Sequence, residues 1–427
     1  MPEFHESLRM YERAVRVIPG QSQTFSKGWT QFPFGASPIY LDRAEGGHVW
    51  DVDGNEFIDW PMAIGPLLLG HNHPAVNRAI AAQLGRGIAF SMPNRGELEL
   101  AERLVDWFPY AEQVRFGKNG SDATAGAVRA ARAFTGREIV LCCGYHGWQD
   151  WFIGTTTRNA GVPEAVRQLA IPFAYNDLEG LRALFARLPG QVAAVIMEPM
   201  GVVEPVGGFL AEVKRLAQEN GALLIFDECW TGFRLHRQGA YGRFGVAPDM
   251  ACFGKAMGNG APISAIVGRA EVMTVFEEIF FSFTFGGDMI GIAASLAVLE
   301  ILASEPVLET ASAIGQKLLD GVRELIRDAG LEAQVRIDGY PLRNVMAFQG
   351  DGHDGLLLKS IFQQEAIAGG ILAAGYHAPS LAHTAADVEK TLDVYLRVFG
   401  AIRRGLDNGA LSGVLRGRIV QPVFRKA

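Results

Sequence analysis

The chain has 427 residues, of which 49% are apolar and 20% are charged, as is usual for a folded globular protein. This length is enough for one large and one smaller domain, each with its own core. The formal net charge of -7 argues against nucleic acid as a main partner, although a phosphorylated ligand would still need a local anion site.

The N-terminal residues predict an amphipathic helix. Leu8, Tyr11, Val15 and Ile18 recur at helical spacing, so we expect this face to pack on the body of the protein. The surrounding charged residues are unlike a secretory signal, and no apolar run is long enough to span a bilayer. We therefore expect no membrane partner.

The middle of the chain alternates short apolar runs with amphipathic stretches. The runs predict buried strands at 138–143, 192–197, 222–226 and 263–267, and the stretches 178–187 and 210–219 predict helices between them. This order favours an α/β fold with a mostly parallel, doubly wound sheet. Ligands of such sheets bind at the carboxyl ends of the strands.

The pattern changes near residue 288. Long helical stretches at 290–302 and 308–329 precede predicted strands at 335–337, 344–348 and 371–373 and a last helix at 386–406. We interpret this as a smaller α+β domain at the C-terminus. The predicted division assigns 61–310 to the large ligand-binding domain and 311–427 to the small one, with 1–60 joining the small domain.

The four cysteines do not have the spacing of a metal site, so we expect no metal. Cys142 and Cys143 lie in a predicted strand and are expected to be small core residues. Unpaired cysteines fit a reducing compartment, which favours a cytoplasmic location.

Two residues suggest the chemistry. An apolar run ends in Asp227, and Lys255 follows later between glycines. Pyridoxal 5'-phosphate (PLP) enzymes need such a pair, because the lysine forms a Schiff base with the cofactor aldehyde and the aspartate keeps the pyridine nitrogen protonated. A lysine between glycines is common, so the other parts of a PLP site must also be present.

A candidate phosphate site lies at 117–124, which we call the phosphate loop. It contains Asn119, Gly120 and Ser121 and precedes a helix rich in small residues. With Ser121 as the predicted N-cap, free N–H groups and the helix dipole would bind an anion. An ordinary capped helix has the same pattern, and the glycine and lysine spacing of a Walker A loop is absent.

Further candidates follow other strands. Tyr145 can lay its ring on a flat cofactor, while the neighbouring His146 is open to a structural or a functional role. Glu198 directly follows the run 192–197 and would face the mouth of the site. Thr284 is a lone hydroxyl between aromatic residues.

Together these segments resemble the class III aminotransferases of the fold type I PLP enzymes, in particular glutamate-1-semialdehyde aminomutase and its transaminase-like relatives. The resemblance covers nearly the whole chain and also includes the motifs at 18–20, 49–55, 69–74, 133–137 and 226–234.

The resemblance implies a role for each candidate. Lys255 and Asp227 act as described above, and the phosphate loop binds the cofactor phosphate. Tyr145 stacks on the ring and Glu198 lies near the cofactor. Thr284 reaches the phosphate held by a neighbouring subunit, which implies a homodimer with shared active sites.

The departures from the aminomutase fall in the substrate pocket. Thr24 and Lys27 stand where it has a serine and an arginine that hold the substrate carboxylate, and Ile64 replaces a tryptophan. Lysine is a point charge without the bidentate fork of arginine. We therefore predict an aminotransferase with a different acceptor, although an aminomutase, a racemase or a decarboxylase would share the cofactor residues.

The substrate is the least determined part. Family habit favours glutamate or alanine as donor, and a polar, aromatic-rich pocket would suit a keto-sugar or another hydroxylated keto compound. The candidate pocket residues, each equally compatible with a surface or core role, are Thr24, Lys27, Trp148, Arg158, Tyr376 and His377. A nucleotide-binding α/β protein is disfavoured because no Gly-x-Gly-x-x-Gly opens a helix after an early strand.

Overall fold

The chain forms two compact units in a computed structural model that describes residues 2–349 and 354–423. The small unit comprises Met1–His73 with Glu309–Ala427, and the large unit comprises Pro74–Leu308. Residues 61–73 thus belong to the small unit, whereas the predicted division assigned them to the large domain.

A seven-stranded sheet organises the large unit. Its strands lie side by side in the order Gln113–Gly117, Ser264–Gly268, Met250–Phe253, Leu223–Asp227, Val192–Met197, Ile139–Cys143 and Ala170–Pro172. Ser264–Gly268 is antiparallel to both neighbours, and the other pairings are parallel. The α/β fold with a mostly parallel sheet is therefore confirmed.

The central strands are buried on both sides. Every residue of Val192–Met197 and Leu223–Asp227 is buried. Because successive side chains of a strand point to opposite faces, both faces of the sheet must be covered. The helix Gly120–Thr135 packs its buried alanines on alternate residues of these strands.

The remaining helices of the large unit connect the strands. They are Pro74–Leu84, Arg95–Trp107, Asp150–Ile153, Glu164–Arg167, Leu178–Arg187, Phe209–Glu219, Gly239–Phe244, Ala270–Met273 and Met289–Ser304, with 3-10 turns at Lys255–Gly258 and Thr274–Glu277. Among the described residues, no single helix is long and apolar enough to cross a membrane; only the bent pair Met289–Ser304 and Val307–Asp328 meets that length and composition together.

The small unit contains two sheets, as expected of an α+β domain. One joins Leu41–Glu45, His48–Asp51, Glu56–Asp59 and Ile371–Leu372, and the other joins Val335–Tyr340, Arg343–Phe348 and Tyr376–His377. The α-helices are His5–Val15, Val307–Asp328, Gly355–Ala368 and Ala385–Asp407, with 3-10 turns at Pro19–Gln21, Phe25–Lys27, Trp29–Gln31 and Leu411–Val414.

The predicted apolar face of the first helix is correct only in part: Tyr11 packs against Trp29 and Phe34, whereas the last two positions differ. The helix ends at Val15, which is 52% exposed, and Ile18 lies beyond it, while the buried positions are Ser7 and Ala14. The Asp53 carboxylate accepts the N–H groups of Glu6 and Ser7 at 2.6 and 3.0 Å. This anion satisfies free N–H groups at the start of the helix and favours the helix dipole.

The aromatic core of the small unit allows a stability test. Phe362 is fully buried against Tyr395 and Phe399. We expect Phe362→Ala to lower the free energy of unfolding by about 3–5 kcal/mol, because the lost ring leaves a cavity. Chemical denaturation measures this, with Leu396→Ala, at a 56% exposed position, as the control. Equal losses in both variants would contradict the proposed core.

Candidate active site

Lys255 begins a tight turn after a buried strand. The strand Met250–Phe253 ends, Gly254 follows, and Lys255 then has a positive φ of 42°. Such a backbone is uncommon for a residue with a side chain and is maintained only where surrounding structure enforces it. The Nζ of Lys255 lies 4.6 Å from the ring centre of Trp230. The turn therefore directs the amine over an aromatic face.

Asp227 is held as a carboxylate at the end of its strand. It is 4% exposed; its Oδ2 lies 2.8 Å from His146 Nδ1, and its Oδ1 accepts the N–H of Cys229 at 3.0 Å. Burial opposes ionisation, but hydrogen bonding and charge from His146, with the Cys229 N–H, lower the pKa of Asp227 overall. A buried carboxylate of this kind can pair with a protonated ring nitrogen.

His146 is a buried positioning residue for Asp227. The Thr124 hydroxyl donates to the carbonyl of His146 at 2.6 Å, and the imidazole packs against Trp151 and Phe152. Because the Asp227 carboxylate can only accept, Nδ1 is assigned as the N–H donor. The structure thus shows His146 in contact with a catalytic candidate, and a direct role of His146 in cofactor binding stays a prediction.

The phosphate loop leads into the helix Gly120–Thr135 with Asn119 as the N-cap, so the prediction of Ser121 as N-cap is wrong. Ser121 instead lies buried in the first turn of the helix. The Asp122 carboxylate accepts the N–H groups of Lys118 and Asn119, and the helix therefore begins two residues before the predicted start. Within the described residues we find no acceptor for the N–H groups of Gly120 and Ser121. They remain available to an anion.

Three segments of the site meet at the Cys229 side chain. A Cβ added at Gly120 would lie 2.6 Å from the Cys229 sulfur, and one at Gly254 would lie 3.8 Å from both that sulfur and the Gly120 Cα. The phosphate loop, the turn after Asp227 and the turn before Lys255 therefore pack directly on each other.

Tyr145 and Glu198 lie beside these segments. The Tyr145 N–H donates to a Glu198 carboxylate oxygen at 3.1 Å, and the Tyr145 side chain is 50% exposed. Its ring meets Phe152 edge-on, with 5.5 Å between centres, which leaves a face for a flat ligand. Thr284 and Arg158 are exposed, as is Trp148.

A separate cavity of about 440 Å³ lies within the small unit. Three positions singled out in the sequence line it, namely Lys27, Ile64 and Tyr376. Thr24 does not line it and is exposed. His377 does not line it either: it is buried, and its two nitrogens contact Asn344 and Tyr395 at 2.6 and 2.9 Å. We therefore assign His377 to the packing of the small unit.

One wall of this cavity has a strained backbone. Met62, Ala63 and Ile64 have φ values of 46°, 55° and 73°, all in the left-handed region. Each such residue costs roughly 1–2 kcal/mol, and a β-branched isoleucine is especially unusual there. The Asp59 carboxylate accepts the Met62 N–H at 3.1 Å, and Pro61 accepts those of Ile64 and Gly65.

Sequence reasoning missed several residues of the site. Trp230 and Cys229 were noted only as members of a motif, and Thr124 only as the last residue of the phosphate loop. The only available signal was that they lie close in the sequence to Asp227 or Gly120. Their contacts are tertiary: Trp230 lies near Lys255, Cys229 near Gly254, and Thr124 bonds His146.

The large unit has the parts that PLP needs: an amine, a buried carboxylate, an anion-binding helix start and an aromatic face. Together with the sheet these define a PLP enzyme of fold type I. The chain belongs to the class III aminotransferases, whose family model matches residues 33–392.

Solved structures agree with this assignment. The FumI protein of Sphingopyxis sp. MTA144, in its PLP internal aldimine form, is 31% identical with a TM-score of 0.88, over 94% of this chain and 97% of that one. A β-phenylalanine aminotransferase from Variovorax paradoxus is 27% identical with a TM-score of 0.81, over 94% of each. A glutamate-1-semialdehyde aminomutase from Pseudomonas aeruginosa PAO1 shares the fold. It is 24% identical with a TM-score of 0.82, over 93% of this chain and 94% of that one.

Gly147 provides a test of the phosphate loop. Its φ is 114°, and an added Cβ would lie 2.3 Å from the Ser121 Cβ. We expect Gly147→Ala to displace Ser121 and weaken PLP binding by about tenfold or more, as a strained and crowded substitution should. Cofactor titration followed by visible absorbance measures this. Gly161→Ala is the matched control, because Gly161 has a φ of 87° and open space around it; equal loss in both would exclude the contact with Ser121.

Glu228 provides a test of pH dependence. It is fully buried and accepts the Ala240 N–H and the Thr231 hydroxyl, and burial raises its pKa from 4.5 to about 8. Between these values the folded state binds more protons, so stability falls as pH rises, by up to about 1.4 kcal/mol per unit. Glu228→Gln removes this loss.

The melting temperature of Glu228→Gln relative to the unchanged protein should therefore rise between pH 5 and pH 8. Glu278→Gln, at an exposed position, should show no such trend. A difference for Glu228→Gln that stays constant over this range would mean that Glu228 is ionised in the folded protein.

Proposed function

We propose that the protein transfers an amino group from an amino-acid donor, with glutamate as first candidate, to a separate keto or aldehyde acceptor. The observation that carries this proposal is the packing of the phosphate loop and the turns of Asp227 and Lys255 around Cys229. It brings together, within one unit, the segments that carry the lysine, the aspartate and the free N–H groups of the phosphate loop.

Each residue then has a defined task. When bound, PLP supplies an aldehyde and a ring that accepts electrons. The Lys255 amine would hold the cofactor and, once released by the donor, would take a proton from the donor carbon in the first half of the reaction and deliver one to the acceptor carbon in the second. Asp227, oriented by His146, keeps the ring nitrogen protonated. The N–H groups of Gly120 and Ser121 bind the phosphate, and Tyr145 covers the ring.

The alternative is intramolecular transfer of the aminomutase kind. Lys27 and Ile64 argue against it, because they replace the arginine and tryptophan positions expected of that enzyme. The β-phenylalanine aminotransferase supports transfer between two molecules, since its name describes an intermolecular reaction. A keto-sugar acceptor receives less support, because His377 is buried and bonded within the small unit.

We also propose a homodimer with shared active sites. Thr284 lies in an exposed loop that contains Phe280, Phe283 and Phe285, exposed by 78%, 38% and 60%. Clustered exposed apolar side chains mark a surface that a partner covers, and a second copy fits the expected role of Thr284. The four free cysteines support a reducing, cytoplasmic location.

The first experiment is the visible spectrum of the holoenzyme before and after L-glutamate is added without an acceptor. We expect the yellow band to bleach, because glutamate loses its amino group to the cofactor. Lys255→Ala should lower turnover by several orders of magnitude, since no other described group occupies the position of its amine.

Each contrary result is informative. If glutamate leaves the band unchanged and alanine bleaches it, alanine rather than glutamate is the amino donor. An unchanged band with every amino acid, together with activity in the absence of any donor, would favour the aminomutase. Full turnover by Lys255→Ala would overturn the assignment of the catalytic lysine.

A further inference from the structure

We propose that a surface groove of the large unit binds a flat heteroaromatic ring that carries a phosphate group. The helix Gly120–Thr135 and the residues that follow Gly147 form the groove. Its volume of about 630 Å³ lies within the range of roughly 300–1,000 Å³ that small-molecule sites occupy. A ligand bound here is additional to the cofactor, so the site does not depend on which donor or acceptor the enzyme uses.

One wall of the groove is the side of the helix Gly120–Thr135 that faces away from the sheet. Ala125, Arg129 and Arg132 line the groove and recur at a spacing that places them on one face of the helix. Ala123 and Ala127, which pack on the strands, occupy the other face. The two arginines are three residues apart and are therefore neighbours on the helix surface.

These arginines give the groove its positive charge. Arg129 donates to the Phe280 carbonyl at 2.6 Å and Arg132 to the Glu138 carbonyl at 2.8 Å, and in the part of the chain that the structure describes neither forms an ion pair. Burial lowers the pKa of Arg132, so a bound anion would stabilise its charged form. Asp150 also lines the groove, which leaves an excess of one positive charge.

A second wall offers aromatic surface. The Trp148 side chain is 67% exposed, and its ring contacts no other aromatic side chain among the described residues. A flat ligand that stacks on this ring removes apolar surface from water. Trp151 lines the same wall and is 7% exposed, and its indole N–H has no acceptor within residues 2–349 and 354–423. Buried donors normally have a partner, which a ligand in the groove can supply.

The combination of guanidinium groups and an exposed indole identifies the ligand chemistry. Guanidinium groups bind phosphate oxygens in pairs, and indole rings stack on heteroaromatic bases. Both a nucleoside 5'-phosphate and a phosphorylated vitamin B6 compound carry such a ring and a phosphate. Inorganic phosphate lacks the ring and a nucleoside lacks the anion, so each should bind more weakly than a ligand that has both.

The experiment is calorimetric titration of the holoenzyme with four probes: AMP, pyridoxine 5'-phosphate, adenosine and inorganic phosphate. We expect at least one of the first two to bind with a Kd about tenfold or more below those of adenosine and phosphate, since phosphate contacts and ring stacking both add affinity. The tighter of the two identifies the source of the ligand. The visible absorbance of the cofactor, recorded in parallel, should show that PLP stays bound.

Variants connect this binding to the groove. Arg129→Gln combined with Arg132→Gln should raise the Kd of the tighter phosphorylated probe by about tenfold or more and leave that of adenosine unchanged, because only the phosphate contacts are lost. Trp148→Ala should raise both by about fivefold or more, since it removes the stacking surface. Arg187→Gln, at an exposed position on another helix of the large unit, is the control for a lost arginine.

Three outcomes would overturn the inference. The first is that AMP and pyridoxine 5'-phosphate bind no tighter than inorganic phosphate. The second is that the double arginine variant folds and binds both with unchanged affinity; if it does not fold, Arg129→Gln alone, at an exposed position, decides the same question. The third is release of PLP by the tighter probe, which would mean that this probe enters the phosphate loop instead.

Discussion

The close packing of three turns around one thiol is the constraint on which the rest of the site depends. Gly120 and Gly254 have no side chains, and the Cys229 sulfur fills the space that a Cβ at Gly120 would need. A side chain at Gly120 would push the phosphate loop away from Cys229, whereas a Cβ at Gly254 would make ordinary contacts of 3.7–3.8 Å. The absence of a side chain at Gly120 therefore allows the phosphate loop to lie this close to the turn after Asp227.

A second buried contact gives this arrangement its chemistry. The sheet removes Asp227 from water, which would favour the neutral acid, and the His146 contact restores the carboxylate. Thr124 in turn bonds the backbone of His146, so the helix that presents the phosphate loop also supports the partner of the aspartate. Burial raises the pKa of the adjacent Glu228 to about 8, so this carboxyl group is protonated near neutral pH. Two adjacent carboxyl groups thus differ in charge because of their neighbours.

The small unit contributes a different kind of surface. Its cavity combines apolar walls, internally bonded polar groups and one lysine, and the strained run at Met62–Ile64 forms part of the wall.

The sequence by itself determined the family and the α/β fold, because buried strands, glycine turns and motif order are local patterns. Only the tertiary structure decided that Asn119 caps the helix after the phosphate loop, that Asp53 accepts N–H groups at the start of the first helix, and that His146 contacts Asp227. The tertiary structure also showed that His377 does not line the cavity, that Trp230 lies against Lys255, and that Cys229 packs on Gly120. These features depend on contacts between residues far apart in the chain, and spacing along a sequence does not reveal which side chains meet in space.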